Sequence, residues 1–117
     1  MYADDDPYLA DVRRVCLALP EAVEVESWGR PTFRAGPKGK MFAVAYGDEV
    51  YFKPEPEERD ALLQDPRCAV PPYYGPSGWL ALDLAAADPD WDEIAELVTS
   101  SYRLVALKRQ RAALGED

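Results

Sequence analysis

The chain contains no histidine. This removes the one side chain whose ordinary charge change falls near neutral pH. It also removes any Ser-His or Cys-His nucleophile pair and any zinc site built on imidazole. Cysteine is nearly as scarce. Cys16 and Cys68 stand alone, too few for a disulfide framework or a closed four-cysteine zinc site. No run of apolar residues is long enough for a membrane-spanning helix, and neither common glycine-rich phosphate loop is present. The start, Met1-Tyr2-Ala3-Asp4-Asp5-Asp6, is acidic and lacks the basic and apolar regions of a secretory signal. The expectation is a cytoplasmic protein with no membrane partner, no metal and no cofactor.

What remains is ordinary material for one globular domain. The 117 residues are 48% hydrophobic, enough to bury a single core without staples. One domain is expected over residues 1–117, with residues 1–6 and 114–117 as flexible tails. The net charge is −9 but unevenly spread: −5 over residues 1–27, +3 over 28–54, −8 over 55–93 and +1 over 94–117. Two basic pieces, 28–54 and the run from Arg103 to Arg111, therefore sit in an acidic protein.

The segment from Trp28 to Pro54 organises the rest. Gly36-Pro37-Lys38-Gly39 and Gly47-Asp48 divide it into three short β-rich runs, and glycine beside proline or aspartate between apolar runs is a strong hairpin signal. Phe33 and Ala35 alternate with Thr32 and Arg34; Met41, Ala43 and Ala45 with Phe42, Val44 and Tyr46; Val50 and Phe52 with Tyr51 and Lys53. A middle strand apolar on both faces is one covered on both sides, or one that lends an apolar face to a ligand. Ala22–Ser27 alternates Val23 and Val25 with glutamates, as an edge strand does. Trp79–Leu84 reads as a further strand, preceded by a Pro, Tyr and Gly loop that either shapes a cleft or caps the core.

Three helices are expected around this sheet. The first opens at Asp6-Pro7, carries Leu9, Val12, Cys16 and Leu19 on one stripe, and ends at Leu19-Pro20. In that stripe Cys16 reads as a small core residue. The second begins in the acidic run from Pro54 to Asp60, where acids complement the helix dipole, and stops at Asp65-Pro66. The last opens at Asp88-Pro89-Asp90, buries Trp91, Ile94, Ala95, Val98, Tyr102 and Val105, and has Ser100-Ser101 as a candidate bend. It carries Arg103, Lys108, Arg109 and Arg111 in its final turns. The fold class is α+β: an antiparallel sheet of about five strands packed against helices, in the order α-β-β-β-β-α-β-α.

Several segments in matching order resemble the MmcQ/YjbR family of small bacterial proteins. They are Cys16-Leu17-Ala18-Leu19-Pro20-Glu21-Ala22, Trp28-Gly29-Arg30-Pro31-Thr32-Phe33, Gly39-Lys40-Met41-Phe42-Ala43, Tyr74-Gly75 with Gly78-Trp79-Leu80, and Ser101–Ala106 with Lys108-Arg109. The resemblance covers about residues 8–113. It implies a CyaY-like arrangement of antiparallel sheet and helices, and a "double wing" DNA-binding label that rests on shape. The wings would be the turns Gly36–Gly39 and Gly47–Asp48. Many relatives have a proline before the Lys-Arg pair; Leu107 stands there in this chain, which implies a straighter last helix.

Three functions follow. The first is DNA binding through a local basic face of Arg30, Arg34, Lys38, Lys40, Lys53, Lys108 and Arg109, with stacking by Trp28, Tyr74 and Trp79. A charge of −9 opposes it at long range, so only a focused patch serves. The second is a non-catalytic module that binds an anionic small molecule or a protein partner on the aromatic sheet face. This requires a pocket walled by Trp28, Tyr74 and Trp79 with a cation at its mouth. The third, from the frataxin-like shape, is loose cation binding by Asp4, Asp5, Asp6 and Asp11. Enzymatic activity is not expected, since nothing places a nucleophile beside a base.

Overall fold

A computed structural model describes residues 8–72 and 74–115. Its elements are α1 (Leu9–Leu17), β1 (Ala22–Ser27), β2 (Arg30–Ala35), β3 (Met41–Tyr46), β4 (Glu49–Phe52), α2 (Pro56–Leu62), β5 (Cys68–Ala69), a 3-10 turn (Gly75–Ser77), β6 (Leu80–Asp83), α3 (Trp91–Val105) and α4 (Lys108–Ala113). The six strands form one antiparallel sheet in the order β1-β2-β3-β4-β6-β5. The α+β class is as expected. The sixth strand is the two-residue β5, too short to show an alternation. Asp4, Asp5 and the Asp6-Pro7 helix start lie outside the described residues. No group of metal-ligating side chains is found among the described residues, and no helix among them is long and apolar enough to cross a membrane.

Each hairpin follows from its turn residues. Trp28 (φ 56) and Gly29 (φ 76) form a two-residue loop closed by the Ser27–Arg30 pair, the left-handed pairing that matches strand twist. Gly47 (φ 60) and Asp48 join β3 to β4. Between β2 and β3 the Gly39 N–H donates to the Gly36 carbonyl at 3.0 Å, and the Ala35 N–H to the Lys40 carbonyl at 3.0 Å. Consecutive turns must lie at opposite ends of the strand they share. Gly36–Gly39 and Gly47–Asp48 are thus separated by the six residues of β3, roughly 20 Å, and cannot act as paired wings on one edge.

The helix-side core contains Phe33, Phe42, Ala43, Ala45, Val50, Phe52, Leu80 and Leu82, against Leu9, Val12 and Cys16 of α1 and Ile94, Val98 and Tyr102 of α3. Phe42 does not follow the simple alternation. Phe33 pairs with Ala43 but Arg34 pairs with Met41, so Phe42 is the extra residue of a bulge. It turns inward and meets Tyr102 edge-on at 5.3 Å, while Met41 packs on the opposite face. Ser101 closes the gap this opens: its hydroxyl donates to the Phe42 carbonyl at 2.6 Å and accepts from the Lys53 N–H at 2.9 Å. The expected bend at Ser100-Ser101 is instead a polar stitch between helix and sheet.

The last helix is not straight. α3 ends at Val105, Ala106 and Leu107 are extended (ψ 149 and 160), and α4 restarts at Lys108. The break persists without proline because Gln110 caps the new helix, its side-chain oxygen accepting from the Leu107 N–H at 2.8 Å. That break turns α4 towards the β2–β3 loop.

A candidate anion-binding groove between the β2–β3 loop and α4

Three pieces of chain far apart in sequence meet at one end of the sheet. The first is the Gly36–Lys40 loop. Gly36 holds φ +96, and a Cβ on Gly39 would collide with the Ala35 carbonyl oxygen, so glycine is needed at both corners. The second is the corner after α1, where Glu21 adopts φ 61. A Tyr102 hydroxyl donating to the Pro20 carbonyl at 2.7 Å fixes this corner. The third is the α3–α4 junction. Together they line a groove of about 560 Å³.

Gln110 ties the three together. It is 1% exposed, and besides capping α4 it donates Nε2–H bonds to the Ala35 carbonyl at 3.1 Å and to Glu21 Oε1 at 3.2 Å. Arg109 Nη2 donates to the same Glu21 oxygen at 2.7 Å. These donors, Arg109 first and Gln110 second, hold the Glu21 carboxyl below the usual carboxylate range. Burial, followed by the nearby Glu21 charge, pushes the Tyr102 phenol up. A carboxylate so engaged is a poor proton acceptor, whereas the cations around it can hold an anion.

Of the residues expected to bind, Lys38, Lys40 and Arg109 line this groove. Lys108 is exposed on the same short helix but does not line it. The remaining cations are elsewhere. Arg30, Arg34 and Lys53 alternate with the inward residues of β2 and β4 and so belong to the opposite face. There the Arg30 guanidinium stacks 3.7 Å from the Tyr46 ring centroid, Arg34 Nε is buried without a hydrogen-bond partner, and Lys53 Cε would meet a Cβ on Gly78 at 3.9 Å. Among the described residues Lys38, Lys40, Lys53 and Lys108 take part in no ion pair.

The aromatic face departs from expectation. Trp79 is buried, not a surface residue, and packs with Val44, Tyr51 and Ala81 beneath the loop before β6. Tyr74 is half-buried over Tyr51, with ring centroids 5.4 Å apart, and 5.7 Å from Trp79. The chain's own loop fills the site proposed for a ligand. Trp28, 94% exposed at the tip of the first hairpin, walls no pocket with them: Tyr74 and Trp79 lie across the sheet against Tyr51, not at that tip.

Glu21 and Gln110 were not apparent from the sequence as site residues. A glutamine three residues beyond a candidate N-cap is the signal that would have exposed Gln110, but the uninterrupted apolar stripe of the last helix hid the cap. Glu21 had no signal beyond following a proline at a helix end.

The YjbR family profile matches residues 17–104. The chain is also similar to the crystal structure of Deinococcus radiodurans protein DR2400, with family-model domain DUF419: 25% identity over 93% of this chain and 88% of that one, at a TM-score of 0.75. No curated protein matches.

Proposed function

The chain belongs to the YjbR family, and on that footing we propose that it is a non-catalytic DNA-binding module that holds phosphates in the groove between the β2–β3 loop and α4. The supporting observation is that the two basic segments of an acidic chain converge there: Lys38 and Lys40 from one, Arg109 from the other. The wing in this reading is the Gly36–Gly39 turn alone. Lys108, exposed beside the groove, adds a phosphate contact. A patch of three or four cations neutralises about as many phosphates, so binding weakens with a log–log salt slope of about −3. The net charge of −9 makes affinity depend on low ionic strength.

The test is fluorescence anisotropy of a labelled duplex against salt. Binding at low salt, weakened by Lys40→Glu with a slope shallower by about one, is the expected result. No anisotropy change at tens of micromolar protein in low salt overturns the proposal. A small phosphate-bearing ligand is the second reading, favoured by the groove's volume of about 560 Å³, within the range of ligand pockets.

A further inference from the structure

Two donors in the groove converge on one oxygen. Arg109 Nη2 and Gln110 Nε2 lie 2.7 and 3.2 Å from Glu21 Oε1. Gln110 cannot turn away, because its other amide proton goes to the Ala35 carbonyl and its oxygen to the Leu107 N–H. The Glu21 backbone is equally fixed, by its left-handed φ of 61 next to the anchored Pro20 carbonyl. Only its side chain, 44% exposed, is free to leave. Facing the seat is Gly36, with no side chain: even a Cβ there would stand 4.0 Å from Glu21 Oε1.

We propose that the Glu21 carboxylate occupies the seat of a ligand phosphate oxygen, so that a phosphate binds Arg109 and Gln110 by displacing it. Glu21 then acts as a built-in competitor that keeps the groove closed to weak anions. This rests on the reading of the groove as a phosphate site. A planar fork and a pinned amide suit a phosphate oxygen as well as they suit a carboxylate. Swinging Glu21 out breaks one exposed ion pair, which is weak, and the Gln110 hydrogen bond, both of which the phosphate oxygen remakes, but it leaves a negative charge beside the incoming ligand. Removing that charge tightens binding.

The experiment measures the affinity of two labelled duplexes, one with and one without a 5′-phosphate, for the wild type, Glu21→Gln and Glu21→Asn. Glutamine keeps the shape without the charge. Asparagine tolerates the left-handed backbone and is too short to reach Arg109. Both variants are expected to bind about three- to tenfold tighter, and the gain is expected to vanish in an Arg109→Ala background. A gain with both duplexes assigns the seat to a backbone phosphodiester. A gain only with the phosphorylated duplex assigns it to a terminal monoester. Unchanged affinity in both Glu21 variants, with Lys40→Glu still weakening the wild type, overturns the displacement while leaving the groove's function standing. Absence of binding by every variant overturns both.

Discussion

Replacing Gln110 by alanine tests how the groove is held together. The side chain is buried and makes three hydrogen bonds, to Leu107 N–H, Ala35 carbonyl and Glu21. Ala35 is itself buried, so its carbonyl loses a partner with little access to water, at a cost of about 1–2 kcal/mol. Losing the cap on α4 adds about 1 kcal/mol. The Glu21 bond contributes least, since Arg109 still holds that exposed carboxylate. The expected loss is about 2–3 kcal/mol, or roughly 10 °C in Tm for a domain of this size. Urea unfolding should show a lower midpoint with an unchanged slope, and hydrogen exchange should show α4 losing protection before the sheet. A loss below about 0.5 kcal/mol, or unchanged α4 protection, would refute the claim that this amide pins the helix to the loop.

Three further outcomes are expected. Ser101→Ala leaves the Phe42 carbonyl and Lys53 N–H unpaired where the strands part and costs about 2–4 kcal/mol, whereas Ser100→Ala changes stability by less than about 0.5 kcal/mol; urea midpoints compare them. Trp28→Asn relieves a left-handed backbone at a side chain with almost no contacts and raises stability by about 1 kcal/mol in the same assay. Asp65 is held below its usual range chiefly by the Arg67 side-chain hydrogen bonds, and Arg67 also bonds Glu93. The resulting stability is present above the unfolded carboxylate value near 4 and is lost as pH falls through the lower folded value. Thermal unfolding against pH should show this acid-side loss in the wild type and a shallower one in Arg67→Ala.

Much of the fold was legible because alternation and helical stripes are local signals. Leu9, Val12 and Cys16, and likewise Ile94, Val98 and Tyr102, are buried as their spacing implied, and both glycine turns form hairpins. The bulge at Phe42 was hidden because β3 is apolar at every position, so one inserted residue leaves no mark on the pattern. The helix break at Leu107 was hidden because a buried glutamine cap replaces the proline that usually announces it. Of the seven expected cations, Lys38, Lys40 and Arg109 meet in the groove; the sequence showed which segments are basic and that Arg34 and Lys53 alternate with Phe33 and Phe52, but not that the helix break carries Arg109 to the β2–β3 loop and away from that face. Trp79 looked like a surface aromatic because its covering loop carries no regular pattern.

The most direct test of the groove is a nuclear magnetic resonance titration of the labelled protein with a short DNA duplex at low salt. The groove reading predicts amide shifts concentrated at Glu21, Gly36–Lys40 and Leu107–Gln110. Shifts confined to the Trp28 and Gly47 end of the sheet, or none anywhere, would contradict it.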